Sequence, residues 1–253
     1  MERILMPKDL QDYLRLSAMP TPFCPGCGHG ILMTAILRAI DEAKMDINKM
    51  VFVSGIGCAG WIPSPHFNAD TLHTTHGRPI AFATGVKLAN PELKVVVISG
   101  DGDLASIGGN HLIHAARRNF PITVICANNG IYGMTGGQAS STTPISAISK
   151  TTPAGNIERP FDLCKLVIGA GATYAARFPV VPLKPLIKSI INALNHEGFS
   201  FIDVLSPCPT YFGRMNKMKR PVDIFDDLKK RCKKIEKGEK VAEGVIPIGE
   251  FVG

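Results

Sequence analysis

Four cysteines, two aspartates and a pair of asparagines are the residues whose types and spacing in this sequence can do chemistry. The acidic pair lies in Gly100-Asp101-Gly102-Asp103, and twenty-five residues separate Gly102 from Asn128-Asn129-Gly130-Ile131-Tyr132-Gly133. A carboxylate, an amide oxygen and a backbone carbonyl make part of an octahedron of hard oxygens. Magnesium takes such a set and leaves positions for a substrate phosphate. The glycines let backbone approach a diphosphate with no Cβ in the way. Cys24 and Cys27 stand in Phe23-Cys24-Pro25-Gly26-Cys27-Gly28-His29-Gly30, Cys58 ends Gly55-Ile56-Gly57-Cys58, and Cys208 lies in Ser206-Pro207-Cys208-Pro209. A lone Cys-x-x-Cys reads equally as a redox dithiol or half a zinc site. Four thiols complete the ligand set of a [4Fe–4S] cluster, and zinc accepts the same four.

These groups need elements to hold them. Val95-Val96-Val97-Ile98 and Ile122-Thr123-Val124-Ile125 are β-branched runs that read as buried parallel strands. Residues 108–119 between them have helical spacing, so the polar loops after the two strands share one edge of a sheet. Ligands bind beyond the carboxyl ends of strands in open α/β sheets. Further strands are predicted over Met50–Ser54, 173–177 and 199–205, which puts Cys58 and Cys208 just beyond strand ends. Helices are predicted over 7–19, 31–44, 80–90 and 183–196. The fold class is therefore α/β, an open, mostly parallel sheet of at least five strands with helices on both faces. The helix starting at 31 places Cys24 and Cys27 at its N-terminus, where amides favour thiolate. His73-Thr74-Thr75-His76-Gly77-Arg78-Pro79 precedes the helix at 80, with Pro79 in its first turn. His76 reads as a loop residue satisfying the backbone or, on the ligand edge, as a hydrogen-bonding partner for a cofactor. Met134-Thr135-Gly136-Gly137-Gln138 opens a Ser/Thr-rich, proline-punctuated stretch to residue 156; so long an irregular segment is functional or disordered. Cys126 in a strand, Cys164 in an apolar helical segment and Cys232 in the basic helix read as structural, and His111 and His114 as packing or solvent residues.

The chain has 253 residues, seven cysteines and a formal charge of +7. An odd thiol count without a signal-peptide core argues for thiolate ligands in a reducing cytoplasm rather than disulfides. No run approaches the ~20 apolar residues that span a bilayer. Residues 214–240 hold eleven Lys/Arg against five Asp/Glu, an excess of six that leaves +1 for the rest. That segment lacks interleaved aromatics and any recognised nucleic-acid module, and reads as a solvated helix face over about 225–235. Residues 1–213 form one domain in this reading. Residues 214–253 are a basic helix and a tail whose apolar Val245-Ile246-Pro247-Ile248-Gly249 docks on this chain or a partner.

Gly-Asp-Gly followed at this distance by Asn-Asn, each after a strand, resembles the thiamine diphosphate motif. By that resemblance Asp101, the Asn129 side chain and the Ile131 carbonyl hold Mg2+. With Cys-Pro-Gly-Cys-Gly-His, Gly-Ile-Gly-Cys, Thr-His-Gly-Arg, Asn-Asn-Gly-Ile-Tyr-Gly-Met-Thr-Gly-Gly-Gln, Ser-Pro-Cys-Pro and a late Ile-Pro-Ile-Gly in order, the chain resembles the β subunit of 2-oxoacid:ferredoxin oxidoreductases. The resemblance implies a diphosphate-domain fold and oxidative decarboxylation of a 2-oxoacid with coenzyme A to acyl-CoA, carbon dioxide and reduced ferredoxin. It implies that Cys24, Cys27, Cys58 and Cys208 hold a [4Fe–4S] cluster. It also implies that Ile56, Gly57, Cys58, His76, Gly100, Asp101, Gly102, Asp103, Asn129, Ile131, Tyr132, Gly133, Met134 and Thr135 surround thiamine diphosphate, with His76 and Asp103 as catalytic residues.

Thiamine enzymes use a glutamate against the aminopyrimidine, and Glu2, Glu42 and Glu92 sit in terminal or helix-end contexts. That glutamate and the pyrimidine domain are expected from an α subunit, in a heterodimer or a dimer of heterodimers. The basic segment then gains a second reading, attraction of acidic ferredoxin through Lys229, Lys230, Lys233 and Lys234. Met134-Thr135-Gly136-Gly137-Gln138 resembles the 2-oxoglutarate and branched-chain members, which favours 2-oxoglutarate over pyruvate or 2-oxoisovalerate. Two other readings fit the residues: a non-redox decarboxylase subunit with zinc, and a non-catalytic binding subunit.

Overall fold

Short β-branched runs build the sheet, and their alternating side chains fill both of its faces. The computed structural model describes residues 8–218, 220–235, 241–242 and 244–251. Its strands are β1 (Met50–Ser54), β2 (Asp70–His73), β3 (Lys94–Gly100), β4 (Thr123–Asn128), β5 (Ile131–Tyr132), β6 (Gln138–Ala139), β7 (Tyr174–Pro179), β8 (Ser200–Leu205), β9 (Cys232–Lys234) and β10 (Ile246–Glu250). Six of them run parallel in the spatial order β2-β1-β3-β4-β8-β7. β10 adds antiparallel to β7, β9 lies outside it, and β5 pairs with β6 as a separate small hairpin.

The helices are α1 (Gly28–Glu42), α2 (Pro79–Ala89), α3 (Gly109–Arg117), α4 (Leu163–Ala170), α5 (Leu183–Asn195) and α6 (Pro221–Arg231). Along β3, Val96 and Ile98 pack with Leu32, Ile36 and Ile190 of α1 and α5. Val95 and Val97 pack with Ile80, Leu112 and Val167 of α2, α3 and α4. Each such side chain contributes about 1.5–3 kcal/mol on leaving water, which fixes strand register because a one-residue slip would reverse both faces. No helix among the described residues is long and apolar enough to cross a membrane.

The winding reverses between β1 and β3: β2 follows β1 on one side, whereas β4 follows β3 on the other. The crevice beyond the carboxyl ends of strands at such a reversal is where ligands bind. The loops after β1, β2, β3, β4 and β8 all open on that edge, and they carry Cys58, His76, Asp101, Asn129 and Cys208.

Several elements differ from the sequence reading. The helix over 7–19 is instead two short 3-10 turns, Lys8–Tyr13 and Leu16–Ala18. They lay Leu10 and Leu14 against the core, and Leu14 bridges Phe67; Pro7 lies outside the described residues. α1 starts at Gly28, three residues early, with Cys27 as its N-cap. The basic helix ends at Arg231, so Cys232 lies in β9, beyond the helix, where it pairs with Ile246. α3 is preceded by a wide π-type turn over Gly102–Ile107, which carries the chain out of the site before the helix begins. The apolar tail joins this chain's own sheet as β10.

One buried charge network ties the sheet to the site. Arg177 on β7 faces Asp203 on β8, with Nε to Oδ2 at 2.7 Å, and its Nη2 reaches Asp162 at the start of α4 at 2.6 Å. The other oxygen of Asp203 accepts from Asn128 Nδ2 at 2.9 Å. Removing one partner of a buried pair leaves an uncompensated charge. Arg177→Met is therefore expected to destabilise the chain by about 3–5 kcal/mol in denaturant unfolding; a loss under about 1 kcal/mol would contradict this account of the pair.

Candidate active site and thiol cavity

The two aspartates follow β3 directly, and both are buried. Asp103 accepts at Oδ1 from the Gly77 amide at 2.7 Å, the Ile56 amide at 3.2 Å and His76 Nδ1, and at Oδ2 from the Ser99 hydroxyl at 2.9 Å. One carboxylate thereby pins the loops that follow β1, β2 and β3. Asp101 accepts from the Asn129 amide at 3.2 Å and from the Ser140 and Thr142 hydroxyls at 2.6 Å each. Burial raises the Asp101 carboxyl above the ordinary carboxylate range, while those three donors pull it back. A buried carboxylate in that balance is suited to a cation. Asn129 Oδ1 caps its own loop by accepting from the Ile131 amide at 3.0 Å.

The Tyr132 ring closes against Gly102, where an added Cβ would lie 2.4 Å from the ring, and its hydroxyl donates to the Gly102 carbonyl at 3.0 Å. A cavity of about 100 Å³ runs between these groups. Its walls include all fourteen residues that the sequence assigns to the cofactor, from Ile56, Gly57 and Cys58 through His76 and Gly100 to Thr135, and add His29 and Ala59.

Beside it lies a second cavity of about 310 Å³, bordered by Cys24, Cys27, Cys58 and Cys208 together with Trp61, Tyr211 and Pro209. Two loops bring the thiols together. The Gly28 amide donates to the Pro207 carbonyl at 3.0 Å. A Cβ on Gly28 would lie 2.6 Å from the Ser206 hydroxyl and 2.7 Å from Pro207, so only glycine lets the Cys27 and Cys208 loops dock. Burial pushes the Cys27 thiol up to about 12 despite the His29 amide, and the charges of Cys208, Cys58 and Cys24 add to the rise. Burial raises Cys58 as well, with Cys208 and Cys24 adding. Desolvation at Cys27 and Cys58 thus outweighs the helix N-terminus that the sequence reading invoked. The residues fit an iron-sulfur cluster in their donor chemistry, since four cysteine thiols border one cavity.

His29, Cys58, Asn129, Gly133 and Met134 line both cavities. A Cβ on Gly133 would lie 3.6 Å from Cys208 Sγ and 3.9 Å from Cys58 Sγ, which locates that glycine in the wall between them. Cys126 and Cys164 are buried in the sheet and in α4, away from both cavities. His111 and His114 border a separate groove between α2 and α3 with Arg118.

Sequence reasoning missed Ser140 and Thr142, whose only signal was the hydroxyl-rich irregular stretch, and gave His29 no role. His29 is buried, its Nδ1 is 2.7 Å from the Ser206 hydroxyl, and burial lowers its pKa from the ordinary 6.5 to about 4.

The sequence matches the family described as thiamine pyrophosphate enzyme, C-terminal TPP binding domain, over residues 55–204. It is 50% identical to the 2-oxoglutarate synthase subunit KorB of Methanocaldococcus jannaschii, over 95% of this chain and 90% of that one. It is 40% identical to the 2-oxoacid:ferredoxin oxidoreductase subunit beta of Saccharolobus solfataricus, over 91% and 82%. The chain belongs to the 2-oxoacid:ferredoxin oxidoreductase β subunits. The fold agrees: it superposes with a TM-score of 0.85, at 34% identity, on a 2-oxoglutarate:ferredoxin oxidoreductase from Magnetococcus marinus solved with 2-oxoglutarate, coenzyme A and succinyl-CoA, covering 98% of this chain and 86% of that one. In this β subunit the thiamine-family match spans the loops of Cys58, His76, Asp101 and Asn129 but stops before Cys208, and it starts after Cys24 and Cys27.

The buried His29 makes a pH test available. An imidazole held neutral binds its proton later than the unfolded chain does, so stability is full above pH 6.5 and is lost as pH falls toward 4. The expected loss is roughly 3 kcal/mol across that window. Denaturant unfolding from pH 7.5 to 4.5 should show this slope, shallower by a similar amount in His29→Gln; equal slopes would contradict it.

Proposed function

We propose that this β subunit works with an α subunit to convert 2-oxoglutarate and coenzyme A to succinyl-CoA and carbon dioxide, passing the electrons to ferredoxin in the cytoplasm. The observation that carries the reading is the shared wall: a cavity built around Asp101 and Asn129 abuts one bordered by four thiols. Asp101, the Asn129 side chain and the Ile131 carbonyl would hold Mg2+, leaving its other positions to the diphosphate of thiamine diphosphate. Gly57, Gly100 and Gly102 keep Cβ atoms away from that diphosphate, and Thr135, whose hydroxyl donates to Gln138 Oε1 at 2.6 Å, borders it. Cys24, Cys27, Cys58 and Cys208 would hold a [4Fe–4S] cluster, which a reducing cytoplasm preserves. When bound, thiamine diphosphate supplies the nucleophilic carbon and the electron sink, and the cluster supplies one-electron steps.

The chain's own residues position and protonate. His76 lines the cavity with Nδ1 held by Asp103, so its Nε2 is the nitrogen that can hold or release a proton there. Asp103, turned away to its four donors, acts through His76. Tyr132 and Met134 narrow the opening against water. No glutamate lines the cavity among the described residues, which supports supply of the activating glutamate by the α subunit. The 2-oxoacid:ferredoxin oxidoreductase relatives, whose acceptor takes electrons, favour the cluster over zinc for the four thiols, and the intact carboxylate-amide set argues against a non-catalytic subunit.

Acyl-CoA formation by the assembled complex, compared across 2-oxoglutarate, pyruvate and 2-oxoisovalerate, tests the reading. The highest kcat/KM is expected for 2-oxoglutarate. Asp101→Ala is expected to weaken Mg2+-dependent thiamine diphosphate binding by at least about 100-fold, since even an outer partner of a metal ligand is worth 10–100-fold. Unchanged cofactor binding in Asp101→Ala, or turnover with all three acids only when coenzyme A is absent, would overturn it.

A further inference from the structure

Electrons that reach the thiol cavity need a way out, and the surface around Cys24 is built for one. Cys24 is exposed, as are Pro22, Pro25 and Gly26 beside it. Trp61, 40% exposed, borders the same cavity. Apart from the thiols, this apex carries no charged side chain: from Pro20 to Gly30 the one other titratable group is the buried His29.

Cations ring it. Cys208 leads directly into the π-type turn Pro209–Gly213, whose Pro209, Thr210 and Tyr211 form the cavity's lip, and whose Gly213 amide returns to the Cys208 carbonyl at 2.9 Å. Arg214 and Lys217 follow at once, exposed, and neither has an acidic partner among the described residues. On the other side the start of α6 sits on the Cys24–Cys27 loop, since a Cβ on Gly26 would lie 2.4 Å from Pro221. Arg220, just before that proline, is exposed and paired at 2.8 Å with Asp223 of its own helix. Lys229 and Lys230 lie at the far end of α6, about 12 Å along its axis at 1.5 Å per residue, beyond one Debye length at physiological salt. Asp226 and Asp227 lie between, the latter bound to Arg231 at 3.0 Å.

We infer that the apex at Cys24, free of charged side chains apart from its thiols and flanked by Arg214, Lys217 and Arg220, is the docking surface for an acidic one-electron carrier of the ferredoxin class. The inference rests on the redox reading above and relocates the contact from the distal lysines to the lip of the thiol cavity. A centre poor in charged side chains with a polar rim is the usual anatomy of an interface, and small contacts of this kind suit brief electron-transfer encounters. Rim charges act chiefly on the association rate, so their removal weakens capture of the carrier while leaving the chemistry intact.

The test uses the assembled complex turning over 2-oxoglutarate and coenzyme A with either a net-negative low-potential ferredoxin or methyl viologen as acceptor. Arg214→Gln with Lys217→Gln is expected to raise the KM for ferredoxin at least fivefold and to flatten its rise with ionic strength, with viologen reduction within twofold of the parent. Lys229→Gln, Lys230→Gln, Lys233→Gln and Lys234→Gln together should change the ferredoxin KM less than the proximal pair does. An unchanged KM in the proximal variant, a larger effect in the distal one, or an equal loss with viologen would each overturn the assignment. A parent complex that reduces neither acceptor would refute the redox reading, and the docking surface with it.

Discussion

Two carboxylates, two residues apart and nearly removed from water, set the rest of this structure. Burying an anion is costly unless hydrogen bonds replace its hydration, and Asp101 and Asp103 recruit theirs from four different loops. Asp103 draws in the Ile56 and Gly77 amides with Ser99 and His76. Asp101 draws in Asn129 with Ser140 and Thr142. Loops that would otherwise be independent are thus organised by the charge they surround, and the cavity between them is what remains when each has satisfied it. Position within the motif separates their roles: Asp103 looks back into the protein, and Asp101 lies where a cation can replace hydroxyl donors.

The second cavity obeys the opposite electrostatics. Four thiols share it, and burial with the neighbouring sulfurs raises the Cys27 and Cys58 thiols above their ordinary range. In the proposed function an iron-sulfur cluster would take the thiol protons' place and be held by these four sulfurs. The contact between Gly28 and the Ser206-Pro207 backbone locks the thiol loops together, and Gly133 keeps the intervening wall thin.

Much of this was legible in the sequence, for physical reasons. Runs such as Val95-Val96-Val97-Ile98 have no stable place except a strand covered on both faces, and the polar motifs follow those runs directly. Hence every cofactor residue assigned from the motifs lines the cavity. What escaped was non-local or conformational. Ser140 and Thr142 reach Asp101 from about forty residues away, through a segment without periodicity. His29 lies on a buried helix turn whose start depends on Cys27 acting as a cap, and tertiary docking of Gly28 extends that helix beyond its own propensity. The N-terminal segment has helical spacing at Leu10 and Leu14, yet packing against Phe67 holds it as 3-10 turns. Cys232 leaves its helix because pairing with Ile246 draws the chain into the sheet.

The central claim is that thiamine diphosphate beside Asp101 and an iron cluster among four cysteines share one wall of this chain. Anomalous scattering at the iron and zinc edges from crystals of the assembled enzyme tests it most directly. The account predicts iron density within the space bordered by Cys24, Cys27, Cys58 and Cys208, with diphosphate and metal density beside Asp101 and Asn129 across Gly133. A zinc-edge signal in that space, or iron elsewhere with these four thiols unliganded, would contradict it.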